Sequence, residues 1–194
     1  MRIHLALLLL LPGLGSCLED GTGRGANIAM RDIVTPDGSV LSQACTPSGL
    51  EMCFDAVDNN CNGVIDEGCG LHTGILQFVV AWDAAEADVN LEVTDAAGEL
   101  AQTAEATSGG LYKDRDCPKD GGQCYGQNVE NVYLVGGEAQ KGRYRAVVKL
   151  EKLGGANAPV RVRFGVRVGQ RSYAMSFELS PGEKVNEKAF EFTL

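Results

Sequence analysis

The chain has 194 residues with a formal charge of −9, seven cysteines and two histidines. Its length leaves room for one main globular domain beside short accessory segments. Such an acid excess argues against a nucleic-acid binder or a polybasic membrane-surface binder, both of which need clustered lysine and arginine.

Met1-Arg-Ile-His is a short positive start, followed by the unbroken apolar run Leu5 to Leu11. That run is too short to span a bilayer and suits the core of an export signal. It ends in Leu14-Gly-Ser-Cys17, which resembles the lipobox of bacterial lipoproteins. The resemblance implies a signal peptide over 1–16, a lipid on Cys17 and a protein held at the cell envelope, on the outer membrane or cell surface. The alternative is an ordinary signal peptide cleaved nearby. Removing 1–16 takes away Arg2 and leaves 16 bases against 26 acids, a charge of −10.

Residues 17–44 show no sustained periodicity and read as a flexible tether. With Cys17 assigned to lipid, Cys45, Cys53, Cys61, Cys69, Cys117 and Cys124 remain. An even set in an exported protein implies disulfides. Cys117 and Cys124 flank a six-residue loop and are expected to pair; the other four recur every eight residues and are expected to pair among themselves.

Residues 45–73 form a small module, too short to build a core of its own. From Asp58 it reads Asp-x-Asn-x-Asn-Gly-x-Ile-Asp, the ligand order of a calcium loop of EF-hand type. Asp58, Asn60, Asn62 and Asp66 would supply side-chain oxygens, Val64 a carbonyl, and Gly63 the sharp turn. Cys69 stands where a bidentate glutamate belongs, with Glu67 and Asp55 as substitutes nearby. An inert turn-rich loop is the competing reading, and a metal other than calcium a third; the stretch offers no His or Met to a softer ion. The run Glu51-Met-Cys-Phe-Asp-Ala-Val-Asp-Asn-Asn-Cys-Asn-Gly-Val-Ile-Asp-Glu-Gly-Cys69 is similar to the MopE-type metal-binding motif of secreted bacterial proteins, E-x-C-D-G-x-D-N-D-C-D-G-x-I-D-E-G-C. Phe54, Ala56, Asn60 and Asn62 depart from it, and the lost carboxylates imply weaker cation binding.

Residues 74–194 read as strands. Ile75–Trp82 is apolar enough for a central strand, and Asp88–Thr94 alternates with Val89, Leu91 and Val93 inward. Glu99–Ala106 reads as a weak edge strand, and Thr107–Gln127 as a long loop. Asn131–Val135, Arg143–Leu150, Pro159–Val168, Ser172–Leu179 and Lys188–Leu194 follow, with a tight turn at Gly169-Gln170. About eight strands at this spacing predict an all-β fold, an antiparallel β-sandwich. Ala81-Trp-Asp83, Ala87-Asp-Val-Asn-Leu-Glu-Val-Thr-Asp95, Ser108-Gly-Gly-Leu111, Cys124-Tyr-Gly-Gln-Asn-Val129 and Gly142-Arg-Tyr144 together resemble the YfaP-like (DUF2135) bacterial β-domains. That family implies an exported sandwich and no defined activity.

Asp88 and Asn90 on one strand, with Asp114 and Asp116 on the long loop, form a candidate second cation site; the alternative is solvated surface. Catalysis finds little support, because His72 is the one histidine outside the leader and is read as an exposed linker residue. No nucleophile-elbow or zincin motif is present. Arg161, Arg163 and Arg167 form a stripe, either paired with nearby acids or facing an anionic partner. The expectation is an envelope lipoprotein with a structural calcium loop and a binding sandwich for an extracellular protein or glycan. A carboxylate hydrolase and a purely adhesive module are the alternatives.

Overall fold

The computed structural model describes residues 32–35, 38–39, 41–43, 49–118 and 124–194. Cys17, Cys45 and the export signal lie outside the described residues. Ten strands occupy the described chain, with no helix among them: β1 Asp32–Val34, β2 Ser42–Gln43, β3 Leu76–Trp82, β4 Asp88–Thr94, β5 Leu111–Arg115, β6 Val129–Leu134, β7 Arg143–Lys152, β8 Val160–Val168, β9 Arg171–Leu179 and β10 Glu187–Thr193. They form two antiparallel sheets, ordered β1-β10-β7-β4 and β2-β9-β8-β3-β6-β5.

Side-chain alternation makes the sandwich. On β8, Val160, Val162, Phe164, Val166 and Val168 turn inward, and Arg161 and Arg163 stay exposed. Phe164 stacks on Phe190 of the opposite sheet at 4.4 Å between ring centroids, and Phe78 meets Phe192 edge-on at 5.4 Å. Each such ring contributes about 2–3 kcal/mol through the apolar area it removes from water. The two-residue turn at Gly169-Gln170 pairs Val168 with Arg171, as expected from its sequence.

Three stretches differ from the sequence reading. The segment read as a tether supplies an edge strand to each sheet, β1 against β10 and β2 against β9. Glu99–Ala106 is not a strand. It makes a single bridge, Leu100 to Thr94, and bonds through Ala101 to Val93 and through Gln102 to Lys113, crossing from one sheet to the other. The expected long loop contains β5, whose inward Lys113 hides the apolar alternation a strand normally shows.

All seven residues of β3 are buried. Leu76, Phe78, Val80 and Trp82 face the core between the sheets. Val79 and Ala81 face the other way, into a second apolar cluster with Ala56, Ile65, Leu71 and Val129. The cysteine module therefore sits on the outer face of the six-stranded sheet, and β3 runs beneath it.

Candidate metal centre

The module lies where the outer face of β8 has no side chain. A Cβ on Gly165 would come within 2.2 Å of the Ala56 carbonyl oxygen. At the far end of the module, a Cβ on Gly63 would meet the Gln170 oxygen at 2.5 Å, and Gly63 holds φ = 84°. Only glycine meets both demands at Gly63. Ser172 donates its hydroxyl to Asp58 Oδ2 at 2.8 Å, and Gln77 donates its amide to the Ile65 carbonyl at 3.3 Å. Inside the module, Cys53 and Cys69 form a disulfide and Cys61 is also disulfide-bonded. Cys117 and Cys124 pair as expected.

Most of the module's carboxylates are occupied by its own backbone. Asp58 accepts from Asn62 N at 3.1 Å and Gly63 N at 2.9 Å. Asp66 is fully buried and accepts from Asp55 N and Ala56 N, both at 3.2 Å. Burial lifts the Asp66 carboxyl to about 7 in spite of those bonds. Asp55 caps Val57 N at 3.0 Å and pairs with Arg163 at 3.4 Å. Glu51, which opens the motif, accepts from Asp66 N at 2.9 Å and from Asn59 N and Asn60 N at 3.0 and 3.2 Å. It organises the loop, a role the ligand-spacing argument did not assign to it.

The expected ligand fan is thus divided. Asp55 and Asp66 turn to backbone donors and Asp58 points toward Ser172, whereas Asn60, Asn62 and Glu67 converge. Both amide nitrogens meet Glu67 Oε1, that of Asn62 at 2.6 Å. Glu67 Oε2 is buried and has no hydrogen-bond partner. A buried carboxylate oxygen without a donor costs about 1–3 kcal/mol or more, and a cation would remove that cost. Asn60 Oδ1 accepts from Asn62 N at 3.0 Å and Asn62 Oδ1 from Val64 N at 2.8 Å. Each amide oxygen keeps a second lone pair for an ion. With both amides turned so that their oxygens face Glu67, the residues present would fit a hard cation held by one carboxylate and two amides, with water completing the shell. Among the described residues, no three His, Cys, Asp or Glu side chains gather as a metal-ligating group, so the amides are essential to the set.

Of the four residues of the second candidate site, Asp114 stands apart from Asp88, Asn90 and Asp116. Asp114 lies on the outer face, where it accepts from the His72 backbone at 2.9 Å and from Asn131 at 3.2 Å and meets His72 Nδ1 at 2.6 Å. The His72 side chain is exposed, as read from the sequence, and its ring stacks on Tyr133 at 5.5 Å. Asp116 turns to the Lys113 ammonium at 2.7 Å, and with Asn90 it lines a cavity of about 260 Å³. Asp88 is close enough to feel Asp116 and Lys113, and burial is the main cause of its raised carboxyl. Lys113 supplies the positive charge between them.

Lys113 also pairs with Glu130 at 2.9 Å. Glu130 is fully buried and accepts from Leu91 N of the other sheet at 2.6 Å and from Cys117 N at 3.3 Å. Burial pushes its carboxyl up to about 8 against the pull of Lys113, and a hydrogen bond with Asp116 pushes the same way. A raised carboxyl is the mark expected of a hydrolase acid, but both Glu130 oxygens are engaged in tying the sheets together. Its signal in the sequence is a charge at the inward parity of Val132 and Leu134.

Two arginines of the stripe are paired with acids: Arg161 meets Asp83 at 3.2 Å, and Arg163 meets Asp55. These four residues, with Phe54 and Glu178, border a cavity of about 500 Å³ between the module and β8–β9.

A family model described as "Cu-binding MopE, putative metal-binding motif" matches residues 41–67. No curated protein and no solved structure matches the chain. The match covers the module and its approach, and supports metal binding by that segment.

Proposed function

We propose that this chain is a cell-envelope lipoprotein, anchored through Cys17, whose module binds calcium and whose sandwich engages an extracellular protein or glycan. The buried Glu67 Oε2, left without a donor while Oε1 takes both the Asn60 and Asn62 amides, carries the calcium part. Carboxylate and amide oxygens suit calcium, and Cys53, Cys61 and Cys69 are tied up in disulfides. With Glu67 as the one loop carboxylate whose buried oxygen lacks a donor, affinity belongs to the millimolar range typical of extracellular modules.

Calcium acts structurally in this reading. It satisfies Glu67, stiffens the Asn60–Glu67 turn and holds the module on β3 and β8. The lipobox and the ordered resemblance to YfaP-like domains support the envelope assignment. The cavity at the junction of module and sheet, with its paired charges and Phe54 wall, supports a partner surface there.

Calorimetric titration of the oxidised protein lacking its leader tests the calcium reading. Saturable heat is expected with calcium near millimolar concentration, weaker heat with magnesium, and none in Glu67→Gln. Equal binding by wild type and Glu67→Gln would overturn the site.

A further inference from the structure

The outer face of β8 reads Arg161, Arg163, Gly165, Arg167, and the first two arginines have their carboxylates in Asp83 and Asp55. Arg167 differs. It is half-buried under the module, and its Nε donates to the Gly169 carbonyl at 2.8 Å. Its register partners are Gln77 on β3 and Ser172 on β9. Those same two residues hold the loop, Gln77 through the Ile65 carbonyl and Ser172 through Asp58. Arg167 is therefore placed on the face that carries the loop, in register with both of its attachments. Burial is the main influence on its charge and lowers its hold on the proton, and Asp58 and Glu67 are the anions that pull the other way.

Resting on the cation reading above, we infer that Arg167 is the internal counter-ion of the metal loop. Its guanidinium balances Glu67 and Asp58 when the site holds no ion, and it sets the affinity for a divalent cation. The hydrogen bond to Gly169 keeps the charge from withdrawing when a cation arrives. Gly63 approaches the Gln170 carbonyl closely enough to leave no room for a Cβ, so the loop is seated on the hairpin. A fixed positive charge repels a divalent ion twice as strongly as a monovalent one at the same distance. Two consequences follow. The loop keeps its place without metal, and it loads only where calcium is abundant.

The test is calorimetric calcium titration of the oxidised wild type, Arg167→Gln and Arg167→Lys, with a thermal melt of each in chelator. Arg167→Gln is expected to bind calcium about tenfold more tightly and to melt at a lower temperature in chelator. Arg167→Lys, which keeps the charge and loses the planar fork, is expected to bind within about twofold of wild type. Unchanged or weaker binding by Arg167→Gln, with wild type binding normally, overturns the role of Arg167 alone. Absence of calcium binding in both wild type and Arg167→Gln overturns the cation site and this inference with it. If Arg167→Gln is unfolded in chelator, recovery of its fold by calcium supports the role, and failure of calcium to recover it overturns the role.

Discussion

The module and the sandwich reach order by opposite means. The sandwich is held by rows of apolar side chains on alternating strand positions, and Phe78, Phe164, Phe190 and Phe192 fill its middle. Its backbone bonds run strand to strand. The module from Glu51 to Leu71 has almost no regular backbone pairing. Glu51, Asp55, Asp58 and Asp66 accept its N–H groups in place of carbonyls, and a small apolar cluster seats it on β3. A segment of this kind spends its carboxylates on itself, which leaves few for a metal. That explains why only Glu67 and two amides converge.

Substitutions on opposite faces of one strand separate the two regions most sharply. Phe164→Ala should cost about 3–5 kcal/mol, as large-to-small changes of buried aromatics do, and chemical denaturation should show both regions unfolding together. Gly165→Val, one residue along, places carbon where Ala56 O lies and should cost about 2–3 kcal/mol by overpacking. Its hydrogen-exchange protection should fall in the module and persist in β7 and β10. A uniform loss in both variants would mean that the two regions form one cooperative unit.

The contrast also accounts for what the sequence could reveal. β4, β7, β8, β9 and β10 were legible because period-2 alternation and a sandwich core are the same fact seen twice, and β3 and β6 were legible as short apolar runs. β5 was not, since its inward residue is Lys113, and β1 and β2 are too short to show a period. Asn60, Asn62 and Glu67 were legible as oxygen donors, but spacing alone could not tell that Asp55 and Asp66 would turn to backbone N–H groups. The seat of the module left a faint trace: Gly165 interrupts the arginines of β8, and Val79 and Ala81 are apolar on a face expected to be wet.

A pH series probes the tie between the sheets. The native Glu130 carboxyl holds its proton to about 8, against 4.5 ordinarily. The folded state therefore keeps a proton that the unfolded chain has released. This contribution is fully present below about pH 4.5 and is lost as pH rises through about 8. Denaturation midpoints should fall from pH 5 to pH 8, by about 1 kcal/mol per pH unit in the steep part, with Asp66 adding in the same direction up to about 7. Glu130→Gln should flatten the upper part of that slope. An unchanged slope would show that Glu130 stays ionised beside Lys113.

Ser172→Ala carries the smallest effect. It removes the hydroxyl bonded to Asp58 and should cost about 1 kcal/mol. Local exchange at Asn62 and Gly63 would report it before any global melt does.

Hydrogen exchange of the oxidised protein, in calcium and then in chelator, tests the coupling of site and fold most directly. Calcium should raise protection across Asp55–Gly68 and across the Gly169-Gln170 hairpin beneath it, and both gains should vanish in Glu67→Gln. Protection that is the same with and without calcium, or that survives in Glu67→Gln, would contradict the account.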